Sequence, residues 1–134
     1  MSIDVLQSKI RKLKTPIVVG LDPTAELIPP ELLAECEARL GKGPEALAES
    51  YLLFCKGLLD ALKKLVPAIK LQSACFEALG WQGVRVMQEL LAYAKKLNYY
   101  VLLETMRSGA EKAEHLAQRV LKKVYKKIGF LERP

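Results

Sequence analysis

Charged side chains gather at three points of this chain, each at or just after a short apolar run. Ile17-Val18-Val19-Gly20-Leu21 leads into Asp22-Pro23. Pro67-Ala68-Ile69-Lys70-Leu71-Gln72 carries a lysine and is followed by Ala74-Cys75-Phe76-Glu77 and Gly80. Tyr99-Tyr100-Val101-Leu102-Leu103 leads into Glu104-Thr105-Met106-Arg107-Ser108-Gly109. In folds built from strand–helix units, chemistry collects at the C-terminal ends of the strands. Each of the three strands places polar residues at that end: Asp22 after the first, Lys70, Gln72 and Glu77 in and after the second, and Glu104 and Arg107 after the third. Asp-Pro alone is an ordinary strand stop. The three ends together, in this order and with a long helical stretch after the first, form a specific pattern.

The remaining reactive groups point to nothing further. Cys36, Cys55 and Cys75 are widely spaced, with no Cys-x-x-Cys pair, and His115 is the single histidine. That spacing supports neither a disulfide framework nor a zinc site. The cysteines read as small apolar fillers, with Cys75 the one to watch because it follows the second strand. No cofactor and no metal are expected. Trp81, Tyr51 and Phe54 sit beside leucines at helical or helix-start positions and read as core rather than as a ring-stacking platform. His115 reads as a helix-surface residue.

The elements that must position these groups follow from periodicity. Ser2 is placed to cap a first helix on which Ile3, Leu6, Ile10 and Leu13 form one stripe, ended by Thr15-Pro16. The first strand, 17–21, is β-branched without alternation, the pattern of a strand buried on both faces. Pro29-Pro30 opens a helix over Glu31–Leu40, and Gly41-Lys42-Gly43-Pro44 breaks it. A second helix is predicted from about Glu45 to Leu65 and a third from about Gly83 to Leu97, with Asn98 as its stop. The last helix, Ala110–Ile128, has the stripe Ala113, Leu116, Ala117, Val120, Leu121, Val124, Tyr125 and Ile128. A helix followed by three strand–helix units predicts an α/β fold with a parallel sheet and right-handed crossovers. The 134 residues are expected to form a single domain.

Taken together, Gly20-Leu21-Asp22-Pro23, the Ile69–Gln72 strand with its continuation, and Glu104–Arg107 resemble the bacterial form of orotidine 5'-monophosphate decarboxylase, a (βα)8 barrel. The resemblance runs from about residue 3 to residue 108. It implies that Asp22 contacts the substrate ribose and that Lys70 lies in the charged network beneath the reacting carbon. It places Glu104 at the first Asp of the family's Asp-x-Lys-x-x-Asp signature. The departures fall on the chemistry. Met106 stands at the motif lysine, which protonates the carbanion left by departing carbon dioxide, and Gly109 stands at the second Asp. Methionine has neither a proton to give nor a charge, and general acid catalysis alone is typically worth ~10²–10⁴-fold. Glu104 in place of Asp adds one methylene to a site sensitive to ~1 Å.

After Ser108 the resemblance fades into helix of idealised Ala, Leu, Glu and Lys composition. The resemblance thus implies three strands of a barrel that usually takes ~250 residues. The expectation is a truncated and re-terminated piece, recombined or engineered and non-catalytic, of interest for its fold and assembly. The alternative is a residual carboxy-lyase of UMP biosynthesis, or a weak nucleotide binder, completed by another chain. Two architectures satisfy the pattern: a partial (βα)8 barrel, or a rearranged flavodoxin-like α/β/α unit in which the last helix covers the former barrel interior.

Composition bounds the partners. Hydrophobic residues make up 51% and charged residues 27%, which implies a folded globular protein. No apolar run reaches the ~18–20 residues that span a bilayer, and the N-terminus lacks an uninterrupted apolar signal core. No membrane association is predicted, and the expected compartment is the cytoplasm. Net charge is +6, much of it from Lys112, Arg119, Lys122, Lys123, Lys126 and Lys127. Cations toward a helix C-terminus suit the macrodipole, so a solvated face is expected there rather than a nucleic-acid surface. Three strands leave two edges and an apolar surface, which predicts self-association, most simply a dimer.

Overall fold

A computed structural model describes residues 2–104. The expected last helix, and with it Met106, Gly109 and His115, lies outside the described residues. Within them the order is α1 (Ile3–Leu13), β1 (Val18–Leu21), a 3-10 turn (Ala25–Leu27), α2 (Pro30–Leu40), α3 (Pro44–Leu62), β2 (Ala68–Gln72), α4 (Ser73–Glu77), α5 (Trp81–Lys96) and β3 (Tyr100–Glu104).

Local chemistry sets the breaks. Pro30 and Pro44 each stand in the first turn of a helix, where a missing N–H costs nothing. Between them Gly41, at φ +79, closes α2 by donating its N–H to the Glu37 carbonyl at 2.8 Å. Asn98 adopts φ +65 and turns the chain from α5 into β3, the stop its sequence predicts.

The three strands form one parallel sheet in the order β1-β2-β3, so each strand pairs with its neighbour in sequence. The register aligns Val19, Ile69 and Val101, and then Leu21, Leu71 and Leu103. Alternation puts these residues on one face. There Leu21, Ile69 and Leu71 are buried against Tyr51, Leu52, Cys55 and Leu59 of α3 and Val86, Met87, Leu90 and Ala94 of α5. Most of the core lies in this sheet-on-helix layer. The other face carries Val18, Gly20, Lys70, Gln72, Leu102 and Glu104, together with the buried Ala68 and Tyr100.

Several expectations need correction. The first strand is not buried on both faces: Val18 is 42% exposed and Gly20 is exposed, because the β1 helical cover lies on the Leu21 side only. Trp81 is not core. It is 67% exposed at the first position of α5, where Gly83, two residues on, is the one that packs closely, against Phe76 of α4. Ser2 precedes α1 but its side chain makes no capping bond. The stripe of α1 is also weaker than expected, since none of its side chains is fully buried. The helix predicted to Leu65 ends at Leu62. The one-turn helix α4 is an addition that no periodicity predicts. Cys36 and Cys55 are buried fillers as expected, and Cys75 is half-buried.

Candidate functional site

Lys70 is the middle residue of the central strand, the one described strand with a neighbour on each side. Its register partners are Gly20 on β1 and Leu102 on β3. Because Gly20 has no side chain, Lys70 meets no obstacle in that direction. A Cβ at Gly20 would lie 3.0 Å from Asp22 Oδ2 and press on that carboxylate. Lys70 Nζ donates to Glu104 Oε2 at 2.9 Å and lies 4.0 Å from Asp22 Oδ2. The three residues named from the sequence therefore converge on one ammonium. All three are partly exposed.

Electrostatics keep the lysine charged. The hydrogen bond to Glu104, and then the nearby Asp22 carboxylate, raise the Lys70 pKa above its ordinary value. Lys70 is thus a fixed positive charge and hydrogen-bond donor, not a base. Cys75 lies close enough to feel the same charges. Burial first, and Asp22 second, push its thiol up, outweighing the opposite pull of Lys70. It remains a thiol at neutral pH and is a poor nucleophile. Two carboxylates against one ammonium leave the cluster with a net charge of about −1. Such a group can accept from the hydroxyls of a ligand at the carboxylates and donate to a carbonyl or anion from Lys70.

Two atoms were not legible as site features. Gln72 Oε1 and Ser73 Oγ are buried without a hydrogen-bond partner, where β2 passes into α4 beside Lys70. A strand-end Gln-Ser pair carries no sequence signal that its oxygens will be left unpaired. Among the described residues, no group of three or more His, Cys, Asp or Glu is placed to hold a metal. No described helix is long and apolar enough to cross a membrane.

No protein-family profile matches the chain. Curated proteins do. It is 33% identical over 90 residues to the orotidine 5'-phosphate decarboxylase of Rhodopirellula baltica, covering 67% of this chain and 29% of that protein. The orotidine 5'-phosphate decarboxylase of Myxococcus xanthus is 30% identical over 100 residues, covering 75% and 31%. Over this stretch the chain is homologous to orotidine 5'-phosphate decarboxylases. The fold agrees. A crystal structure of a candidate orotidine 5'-phosphate decarboxylase from Streptomyces avermitilis superposes with a TM-score of 0.55 at 28% identity, over 75% of this chain and 31% of that one. The open three-stranded sheet thus matches part of the decarboxylase barrel. The chain spans about 30% of the length of the curated decarboxylases named here.

Proposed function

We propose that this chain is a non-catalytic relative of orotidine 5'-phosphate decarboxylase that retains the charged, ribose-facing half of the site. The observation carrying this reading is the pairing of Lys70 with Glu104 at 2.9 Å, beside a sequence in which Met106 takes the position of the proton-donating lysine. The charges that would surround a reacting pyrimidine are kept, and the proton source is gone. Lys70 does not replace it, because its ammonium is bonded to Glu104 and lies beside Asp22. The change after Ser108 to a sequence of idealised Ala, Leu, Glu and Lys composition fits an origin by recombination or design.

The test is turnover of orotidine 5'-monophosphate at high protein concentration, for which no release of carbon dioxide above the uncatalysed rate is expected. Measurable turnover by the chain alone would overturn the reading. The intact Asp22–Lys70–Glu104 cluster also favours a second reading, a nucleotide site completed by another chain. Uridine monophosphate titrated into the protein would then bind weakly, and Lys70→Ala would weaken it further. An isotherm unchanged by Lys70→Ala would reject that role.

Self-association belongs to the same proposal. Both outer strands, β1 and β3, lack a second neighbour among the described residues, and Val18 and Leu102 (39% exposed) stand on the face away from the helices. Light scattering across a dilution series is expected to show a dimer, and a persistent monomer would remove the idea.

A further inference from the structure

We propose that the cleft between α1 and the turn before β3 binds a small phosphate-bearing ligand. It has a volume of about 420 Å³ and is lined by Asp4, Val5, Ser8, Lys9, Lys12 and Asn98. It lies at the N-terminal ends of the strands, since α1 leads into β1 and Asn98 precedes β3. The Asp22–Lys70–Glu104 cluster lies toward the other end, a strand of four or five residues away, ~15 Å. The proposal therefore goes beyond the decarboxylase reading and does not depend on it.

Three observations converge on an anion. First, Lys9 is turned toward the body of the protein, half-buried with Leu6, Ile10 and Leu13 at helical spacing, and its Nζ donates to the Asn98 carbonyl at 2.5 Å. Second, no carboxylate forms an ion pair with Lys9 or Lys12 among the described residues, although Asp4 lines the same cleft. Third, burial and then the charge of Lys12 both pull the Lys9 pKa down. Two ammoniums thus line one cleft, and the neutral Asn98 carbonyl accepts from Lys9. An anionic group there relieves their repulsion and offsets the burial and like charge that pull the Lys9 pKa down. The Ser8 hydroxyl and the Asn98 side chain line the same wall and add neutral hydrogen-bonding capacity.

Asp4 narrows the class. It lies about 12 Å from Lys12 along the helix axis, in the first turn, where it repels a second anionic group and accepts from a hydroxyl. One phosphate at the lysine end with a hydroxylated body reaching toward Asp4 fits better than a polyphosphate or nucleic acid. Free phosphate and a sugar phosphate share the first half of this chemistry, and only the second uses Asp4.

Amide shifts in two-dimensional NMR of the full chain test the site, with inorganic phosphate and ribose 5-phosphate as separate titrants at physiological salt. Saturable shifts confined to residues 4–12 and Asn98 are expected, with ribose 5-phosphate tighter. Lys9→Met and Lys12→Met should each weaken binding about tenfold, the loss of one charge-assisted hydrogen bond. Neither change opens the core, because α1 has no fully buried side chain. Equal affinity for the two titrants would identify free phosphate as the ligand and still support the site. Shifts that rise linearly, spread over other lysines, or survive both substitutions would overturn it. Nucleotide binding at the sheet's other end would instead move Gly20, Lys70 and Glu104, so the two readings fail separately.

Discussion

Replacing Gly83 by alanine gives the sharpest test of how the site end of the sheet is held. Gly83 is buried in the first turn of α5, where that helix packs on α4. A Cβ placed there would lie 1.8 Å from the Phe76 carbonyl oxygen, 2.7 Å from its carbon and 3.0 Å from Leu79 Cβ. To reach even the 3.0 Å floor seen for real Cβ contacts, that carbonyl must retreat 1.2 Å, the difference between 3.0 and 1.8. The obstacle is backbone, so no side-chain rotation relieves it. Phe76 is itself fully buried and packs edge-on against Tyr51, with ring centroids 6.3 Å apart at 85°. Overpacking of a core costs ~1–3 kcal/mol, and a rigid obstacle belongs at the upper end. The better helix propensity of alanine returns ~1 kcal/mol, leaving a net loss of about 2 kcal/mol.

Gly57 supplies the control. It lies in the interior of α3, where an added methyl would have nothing within 4 Å. Gly57→Ala should therefore stabilise by ~0.5–1 kcal/mol from the backbone term alone. Urea unfolding followed by circular dichroism measures both, with the midpoint of Gly83→Ala expected below wild type and that of Gly57→Ala above it. A Gly83→Ala protein as stable as wild type would refute the close-packing argument, whatever Gly57→Ala does.

Two further outcomes follow from buried polar groups. Tyr99→Phe removes a buried hydroxyl that donates to the Leu59 carbonyl at 2.5 Å, and a loss of ~1 kcal/mol is expected in the same urea assay; a change near zero would mean that bond contributes nothing. Burial pushes the Cys55 thiol up to about 12 from an ordinary value of 9.0. The unfolded chain therefore releases this proton above about pH 9 while the folded chain keeps it to about pH 12. Stability from this residue is complete below that window and falls through it, by at most ~1.4 kcal/mol per pH unit. Cys55→Ala should flatten that fall, and an identical alkaline profile would disprove the assignment.

The three strands were legible to within one residue because a short β-branched or aromatic run bounded by proline, glycine or asparagine has few other uses. Asp22, Lys70 and Glu104 were legible as strand-end residues, and the structure joins them through the central lysine. What the sequence left open was cover. A run such as Ile17–Leu21 reports hydrophobicity but not which face receives a helix, and so Val18 emerged exposed. Trp81 failed for the same reason: the residue that meets the body at the start of α5 is the glycine two positions later, whose value is its lack of a side chain. The one-turn helix α4 has too few residues for any periodicity to show. The unpaired oxygens of Gln72 and Ser73 depend on neighbours that only the folded chain brings near.

Neighbour-to-neighbour strand order also governs how the charged cluster comes into being. Lys70 and Glu104 are 34 residues apart, and the strands carrying them are successive along the chain and adjacent in the sheet. No distant segment must return to complete the pair. In kinetic terms, the loop to be closed is of short range for a parallel sheet, where long-range pairing is the slow step. The cluster should therefore form together with the pairing of β2 and β3, and the refolding rate should report on a βα unit rather than on a closed barrel.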